Sequence, residues 1–325
     1  FMPRPPQSQI MSTETSQPDI SRRRAWVIAA RPQTMPAALA PVLVGTGLAV
    51  RDGVFAPLPA LVALVGAALI QIGTNFANDY YDAEKGADTE DREGFTRVTA
   101  GGIIDPAEVK RAMWLTFLAA ILVGAYLVVV AGLPIMIVGL VSVAMGVAYT
   151  GGPYPLAYHG LGDVFVFVFF GLVAVTGTYY VQAAAALGVE FLTLVPRPEL
   201  VPVAALVASL PIAAISTNIL VVNNLRDRDE DAEAEKNTLT VRFGYGFSRA
   251  QFVLLLGTAY AVPLVFWRST GDLTALLPLA TLPLAIPLTR TVLTETAGSA
   301  LNPALERTGK LLAAFAALFA VGLAL

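Results

Sequence analysis

The chain has 325 residues, of which 56% are hydrophobic and 14% are charged, whereas a soluble domain carries about 25% charged residues. This deficit excludes a water-soluble surface, and the net charge of −3 argues against a nucleic-acid binder. Because the chain has no Cys and a single His, disulfides and metal sites built from Cys or several His are excluded as well.

Apolar helices are the predicted elements along the whole chain. Runs of about 18 to 20 apolar residues recur and can cross the hydrocarbon of a membrane, and a helix satisfies its own backbone in lipid. Residues 1–24, rich in Pro, Ser and Gln, are expected to form a disordered cytoplasmic tail, and residues 25–325 a single transmembrane domain. The nine predicted spans lie near 34–50, 57–78, 112–131, 133–149, 162–185, 199–223, 250–267, 273–289 and 309–325. The sequence therefore predicts an all-α integral membrane protein with nine transmembrane helices.

The positions of Lys and Arg predict the orientation, because loops rich in these residues stay in the cytoplasm. With the N-terminus inside, all but three of the 21 lysines and arginines fall on the cytoplasmic side, and the exceptions are Arg51, Arg197 and Arg268. Two long polar segments, at about 79–111 and 224–249, then both face the cytoplasm. We therefore expect two Asp-rich cytoplasmic loops.

Four polar residues mark the place where the second predicted span leaves the membrane: Asn75, Asn78, Asp79 and Asp82. Their spacing of i, i+3, i+4 and i+7 predicts that they share one face of a helix. Gly86 is a natural helix terminator, so Asp88 is expected in the loop just beyond it.

A second polar group follows the sixth predicted span. Asn223, Asp227 and Asp231 are spaced i, i+4 and i+8, which again indicates one helical face, and Asn224 lies beside them. Carboxylates at a membrane edge are costly and usually functional. The alternative is that both groups are simply solvated acidic loops.

Two acidic groups that face each other would repel, and a divalent cation would relieve that repulsion. Mg²⁺ prefers carboxylate and amide oxygens, completed by water and substrate phosphate. Basic residues are interspersed in both segments and would supply countercharge to phosphate; they are Lys85, Arg92, Arg97, Arg226, Arg228, Lys236 and Arg242. The pattern therefore predicts a site for Mg²⁺ and a diphosphate.

At these residues the chain resembles the UbiA superfamily of intramembrane prenyltransferases. Asn78-Asp79-x-x-Asp82 matches the start of the first Asp-rich motif of that family, and Asp227-x-x-x-Asp231 followed by Lys236-x-Thr238 matches the second. The segments 30–36, 78–92, 149–163 and 223–227 look most like the subgroup that prenylates 1,4-dihydroxy-2-naphthoate in menaquinone synthesis. Two departures from the broader family concern the metal ligands: Gly86 stands where its first motif has a further Asp, and Asn replaces a carboxylate upstream of Asp227.

The resemblance implies nine helices around a central cavity in a bacterial-type inner membrane, with a cytoplasmic active site. It implies transfer of a polyprenyl group from polyprenyl diphosphate to 1,4-dihydroxy-2-naphthoate, with loss of CO2 and diphosphate. No nucleic acid and no obligate protein partner is implied. The implied ligands of Mg²⁺ are Asp79, Asp82, Asp227 and Asp231, with Asp88 as a weaker candidate. The implied substrate contacts are Asn75, Asn78, Lys85, Arg92, Arg97, Asn223, Asn224, Arg226 and Lys236.

Several residues keep two interpretations. Tyr149 and Tyr154 would stabilise an allylic cation through their ring faces, or they anchor the chain at the membrane boundary. Asp163 would orient the hydroxyl of the acceptor or act as a base, or it caps a helix. Arg31 would bind the carboxylate of the acceptor, or it follows the positive-inside rule. His159 is interpreted as a polar loop residue.

Two other functions remain open from the sequence. The same chemistry on 4-hydroxybenzoate or homogentisate is the nearest alternative. A transporter is the alternative from another class, although transporters carry their charges near the middle of the bilayer, whereas here the carboxylates cluster at one membrane edge.

Overall fold

The computed structural model describes residues 21–86, 98–195 and 197–325, and these residues form helices joined by short turns. The α-helices are α1 (Arg22–Ala30), α2 (Met35–Arg51), α3 (Pro57–Glu84), α4 (Pro106–Ala131), α5 (Leu133–Ala148), α6 (Gly162–Val166), α7 (Ala174–Ala186), α8 (Val203–Arg226), α9 (Arg228–Glu233), α10 (Leu239–Thr270), α11 (Leu282–Thr294) and α12 (Gly298–Ala324). Short 3₁₀ segments lie at Pro32–Thr34, Leu156–His159, Pro198–Leu200 and Leu273–Thr281, and a π-helical segment at Phe167–Val173 joins α6 to α7.

Eight helical stretches among the described residues are long and apolar enough to cross a membrane. They are Arg22–Arg51, Pro57–Glu84, Pro106–Ala131, Gly162–Ala186, Val203–Arg226, Leu239–Thr270, Leu273–Thr294 and Gly298–Ala324. The remaining predicted span corresponds to α5, which is apolar but has only 16 residues. The prediction of a multi-pass helical membrane protein is confirmed, whereas the number nine stays a prediction.

Helix α1 begins inside the segment that was predicted to be a disordered tail. Residues 1–20 of that tail lie outside the described part of the chain, but Arg22–Arg24 are helical, so this end of the prediction is wrong. The Arg22 guanidinium donates to the Glu108 carboxylate at 2.7 Å. Ala25 and Ala29 pack into a hydrophobic cluster with Phe76, and this burial gives the segment a reason to fold.

Among the described residues, the carboxylates of the two predicted Asp-rich loops lie at helix ends. Helix α3 continues through Asp79 and Asp82 before it ends at Glu84. Asp227 separates α8 from α9, and Asp231 lies within α9. Three of these carboxylates are therefore held by helical backbone, which fixes their directions more firmly than a loop would.

Close helix approaches hold the bundle together. A Cβ on Gly47 of α2 would lie 2.4 Å from the carbonyl oxygen of Ala320 in α12, and a Cβ on Gly171 would lie 2.1 Å from the Cβ of Ala213 in α8. Small residues at such crossings let helix backbones approach in a membrane, where van der Waals packing is the main attraction. The packing brings α2, α7, α8, α10 and α12 around one hydrophobic cluster.

Candidate active site

The end of α3 that is predicted to face the cytoplasm forms one wall of a polar cavity. Asn75, Asn78 and Asp82 line this cavity, which has a volume of about 200 Å³. Asp79 is not among its lining residues and is 2% exposed. Its Oδ2 accepts hydrogen bonds from the backbone N–H of Thr99 at 3.2 Å and from the Thr99 hydroxyl at 2.5 Å. Three of the four residues that were predicted to share a face therefore line the cavity together. Asp79 instead binds Thr99, near the start of the next described segment.

The turn after α5 is fastened to this helix end. The Thr150 hydroxyl donates to Oδ1 of Asn78 at 2.9 Å. The Lys85 ammonium donates to the carbonyl oxygen of Thr150. Partial burial, opposed by the Asp82 and Glu84 carboxylates, lowers the pKa of Lys85 from its ordinary value. Lys85 does not line the cavity. Its hydrogen bond to Thr150 therefore stabilises the turn after α5.

Tyr158 connects the two acidic helix ends. Its hydroxyl donates to Oδ1 of Asp82 at 2.9 Å, and its carbonyl oxygen accepts from the backbone N–H of Asn237 at 3.0 Å. Lys85 and Lys236 place their Nζ atoms 4.5 Å and 5.6 Å from the centre of its ring. One aromatic side chain thus contacts a carboxylate and two ammonium groups, an arrangement in which ring and cations attract each other.

A second wall comes from the end of α8 and the turn that follows α9. Asn223, Asn224, Arg226 and Lys236 line the same cavity. Arg226 donates through Nε to Oδ1 of Asp227 at 2.5 Å and through Nη2 to Oδ2 at 2.8 Å. Asp227 is fully buried and accepts a further hydrogen bond from the Asn223 amide at 3.2 Å. Charge-assisted bidentate pairs of this kind are strong and directional, so Asp227 fixes the guanidinium of Arg226.

Asp231 is buried behind this wall and does not line the cavity. It is 1% exposed, and its Oδ1 lies 3.5 Å from Nζ of Lys236. Arg226 also donates to Asn302 of α12 at 2.9 Å. Lys236 and Arg226 are therefore both oriented at the cavity wall by buried acceptors behind them.

The metal prediction has a mixed outcome. Within residues 21–86, 98–195 and 197–325, no group of three or more His, Cys, Asp or Glu residues is close enough to hold an ion. Of the four carboxylates implied as ligands, Asp82 alone lines the cavity. The amide groups of Asn75, Asn78 and Asn223 accompany it there, and such a set of hard oxygens fits Mg²⁺ that completes its shell with water and phosphate. Asp88, Arg92 and Arg97 lie outside the described residues.

The predicted aromatic residues separate into two groups. Tyr149 lines the cavity, and its ring centre lies 5.1 Å from that of Phe165. Burial raises the pKa of Tyr149, with a further contribution from the charge of Asp163. Tyr154 is 56% exposed and stacks on His159 with ring centres 3.7 Å apart, and it does not line the cavity.

Asp163 lines the cavity at the first turn of α6. Its Oδ1 accepts a hydrogen bond from the Gln251 amide of α10 at 2.9 Å, and no side chain caps the N-terminus of α6. The carboxylate therefore lies in the first turn of α6 and at the cavity, and both interpretations of Asp163 stay predictions.

An apolar cavity of about 520 Å³ adjoins the polar one. It is enclosed by side chains of α2, α3, α4, α5, α7 and the π-helical segment. Five residues line both cavities: Ala37, Gln71, Thr74, Phe165 and Phe170. The two spaces together suit a molecule with a polar head and an apolar body.

Sequence reasoning missed several residues that shape this site. Tyr158 lies within the motif 149–163, but the spacing of that motif does not show that its hydroxyl reaches Asp82. Thr99 gave no signal, because its contact with Asp79 joins segments 20 positions apart. Gln71 was not predicted as a site residue, because a single amide inside an apolar run is usually interpreted as part of the packing between helices.

Comparisons with known proteins identify the family and the fold. Residues 38–305 match the model of the UbiA prenyltransferase family. The chain belongs to the UbiA prenyltransferase family. A protein of Escherichia coli (strain K12) named 1,4-dihydroxy-2-naphthoate octaprenyltransferase is 38% identical over 298 residues, which are 90% of this chain and 92% of that protein. A protein of the same name from Mycobacterium tuberculosis (strain ATCC 25618 / H37Rv) is 36% identical, with 87% of this chain and 91% of that one aligned.

Solved structures share the fold. The apo structure of a UbiA homolog from Aeropyrum pernix K1 matches with a TM-score of 0.64 and 13% identity, covering 86% of this chain and 96% of that one. A UbiA homolog from Archaeoglobus fulgidus bound to DMAPP and Mg²⁺ matches with a TM-score of 0.53 and 14% identity, covering 91% and 99%. At these identities the likeness concerns the fold alone.

Proposed function

We propose that this protein transfers a polyprenyl group from polyprenyl diphosphate to 1,4-dihydroxy-2-naphthoate, releasing diphosphate and CO2 and giving demethylmenaquinol. The observation that carries the proposal is the polar cavity that adjoins a larger apolar one. The polyprenyl diphosphate has the same division, with an anionic head and an apolar chain. The names of the E. coli and M. tuberculosis relatives support the acceptor.

The diphosphate is bound in the polar cavity between Asp82 on one wall and Arg226 and Lys236 on the other. Arg226 and Lys236 donate to phosphate oxygens, and the buried acceptors behind them hold both cations in place. Asp82 together with Asn75, Asn78 and Asn223 would hold Mg²⁺, which supplies Lewis-acid neutralisation of the leaving group. Asp79, Asp227 and Asp231 then act behind this wall, as supports of Thr99, Arg226 and Lys236.

The polyprenyl chain is bound in the apolar cavity. When the C–O bond to diphosphate breaks, the electron pair leaves with the diphosphate and the prenyl C1 becomes an allylic cation. The ring of Phe165, which lines both cavities, and the neighbouring ring of Tyr149 in the polar cavity stabilise that cation through their faces. The apolar lining keeps water away from it.

The acceptor ring then attacks C1 through the carbon that carries the carboxylate. The bond between this carbon and the carboxylate breaks, its electrons restore the aromatic ring, and CO2 leaves. No proton is released from that carbon, so the transfer needs no general base there. Asp163 therefore acts by orienting the acceptor and not by accepting a proton from the ring.

We also propose that the site faces the cytoplasm in a bacterial-type plasma membrane, with the N-terminus on the same side. The excess of Lys and Arg in the segments that flank the site supports this orientation. Cysteine labelling of a Cys introduced at Tyr154 from each side of sealed vesicles tests it. Labelling only from the outside of right-side-out cells would overturn the orientation.

The function is tested with purified protein in liposomes that contain a polyprenyl diphosphate. Product is measured by mass spectrometry with 1,4-dihydroxy-2-naphthoate, 4-hydroxybenzoate or homogentisate as the acceptor, with Mg²⁺ or with excess EDTA. We expect prenylated product and equimolar CO2 only with the naphthoate and only with the metal. Product from another acceptor alone would overturn the acceptor, and full activity in EDTA would overturn the metal.

A matched pair of variants tests the site. Asp82→Asn keeps the size of the side chain and removes its charge, and we expect turnover to fall at least about 100-fold. Asp229→Asn is the control, because the Asp229 side chain is 80% exposed and pairs only with the surface residue Arg228 among the described contacts. Equal turnover in the two variants would contradict the assignment of Asp82.

A further inference from the structure

Gln71 is a buried amide at the junction of the two cavities. It is 7% exposed, and it lines both the polar and the apolar cavity. Its Oε1 is buried and has no hydrogen-bond partner among the described residues. A buried acceptor without a partner costs free energy, so this atom requires an explanation.

The neighbouring hydrogen bonds fix which atom of the amide is left without a partner. The Thr34 hydroxyl donates its only hydrogen to the carbonyl oxygen of Arg31 at 2.9 Å. Its lone pairs accept from Nδ2 of Asn75 at 2.9 Å and from Nε2 of Gln71 at 3.0 Å. Nδ2 of Asn75 also donates to the carbonyl oxygen of Ala30 at 2.8 Å.

This chain of donors and acceptors runs in one direction. Nε2 of Gln71 faces two acceptors, Oγ1 of Thr34 and Oδ1 of Asn75, the latter at 3.3 Å. A flipped amide would set Oε1 against both of them. The orientation is therefore dictated by the network, and Oε1 is the atom of this cavity-lining amide that is left to accept a further hydrogen bond.

An acceptor at this position selects among the reactants. Ionised phosphate oxygens are themselves acceptors, and the prenyl chain has no polar hydrogen, so neither forms a hydrogen bond with Oε1. A phenolic hydroxyl donates one. Arg31, held by the same network, lines the polar cavity with a buried Nη2 that also has no partner among the described residues. This wall thus offers a cationic donor and a neutral acceptor together.

We propose that Gln71 accepts a hydrogen bond from a ring hydroxyl of the aromatic acceptor, while Arg31 faces its carboxylate. The inference rests on the proposed function and adds the residue that recognises the hydroxyl. The acceptor is bound at the boundary between the cavities, where its ring meets C1 of the prenyl chain. Gln71 therefore distinguishes hydroxylated aromatic acids from acids that lack the hydroxyl.

The test removes the amide from the protein and the hydroxyl from the ligand. Dissociation constants are measured for wild type and Gln71→Leu with 1,4-dihydroxy-2-naphthoate, 1-hydroxy-2-naphthoate and 4-hydroxy-2-naphthoate. In wild type, loss of the recognised hydroxyl weakens binding by about tenfold or more. In Gln71→Leu that ratio falls to near one, because the partner of the hydroxyl is gone.

Gln182→Leu is the matched control. Gln182 is fully buried, donates to Thr46 and Thr178 at 3.1 Å and 3.0 Å, and also has an Oε1 without a partner among the described residues. It lines neither of the two cavities. Its substitution is expected to leave the ligand ratios of wild type unchanged, even where it lowers the melting temperature.

The outcomes separate this inference from the proposed function. If wild type neither binds nor converts 1,4-dihydroxy-2-naphthoate, the proposed acceptor fails and the inference fails with it. If wild type converts it and Gln71→Leu keeps the ratios of wild type, the inference alone is overturned. Equal loss of discrimination in Gln182→Leu would also overturn it, because the effect would then come from packing.

Discussion

Gly171 gives the sharpest test of how the bundle shapes the apolar cavity. It lies in the π-helical segment beside Phe169 and Phe170, which line that cavity. An alanine Cβ at this position would lie 2.1 Å from the Cβ of Ala213, 2.5 Å from its Cα and 2.9 Å from its N. Ordinary contact begins at 3.4 Å, so the segment and α8 must separate by about 1.3 Å, the difference between 3.4 and 2.1.

Overpacking of this kind costs about 1–3 kcal/mol, whereas alanine in place of glycine otherwise favours a helix by up to about 1 kcal/mol. Gly257→Ala is the control, because Gly257 is in α10 with no neighbour within 4 Å of an added Cβ and lines neither cavity. We expect Gly171→Ala to melt at least about 2 °C below wild type in detergent, and Gly257→Ala to melt at or above it.

A second substitution refines the test. Ala213→Gly in the Gly171→Ala background removes the contact at 2.1 Å and leaves those at 2.5 Å and 2.9 Å, so only partial recovery is expected. The KM for polyprenyl diphosphate is expected to rise in Gly171→Ala, because the phenylalanines that line the cavity move with the segment. Equal melting temperatures of Gly171→Ala and Gly257→Ala would refute the reasoning.

Two further predictions concern the polar wall. Asp227→Asn leaves the buried Arg226 without its charge partner, so we expect a loss of about 3–5 kcal/mol in stability along with activity; the double variant Arg226→Leu/Asp227→Leu is expected to recover the melting temperature without turnover, and a stable, active Asp227→Asn protein would contradict the pairing. Tyr158→Phe removes the hydrogen bond to Asp82 and keeps the ring under Lys85 and Lys236. We expect kcat to fall about tenfold while the melting temperature changes little, and a wild-type kcat would show that Asp82 needs no such orientation.

The sequence carries enough information to predict the class of fold, because hydropathy and helical spacing are local properties. The spacing of Asn75, Asn78 and Asp82 gives the side of α3 that lines the cavity. Helix α1 was missed because its arginines resemble a tail, and because Ala25 and Ala29 are buried in a cluster with Phe76, which is distant in sequence.

The roles of individual carboxylates were less predictable. Asp79 and Asp227 were both interpreted as metal ligands, yet one accepts from Thr99 and the other from Arg226. The first contact spans a connection whose path the spacing does not contain. The contact between Arg226 and Asp227 joins neighbours in sequence. A charged pair at a helix end is, however, equally compatible with two residues that bind separate ligands. Spacing gives the face of a helix, and tertiary packing decides the partner.

Helix α5 sets a mechanical condition on the surrounding lipid. Its 16 residues rise about 24 Å, roughly 6 Å less than the hydrocarbon thickness of an average bilayer. Ile137, Leu140 and Val141 of this helix are exposed, while other residues of it enclose the apolar cavity. As the ninth predicted span, α5 would require the bilayer beside that cavity to thin or its own ends to be covered, at a cost that grows with each ångström of mismatch. Lipid chain length would then act on the wall of the cavity in which we propose that the polyprenyl chain is bound.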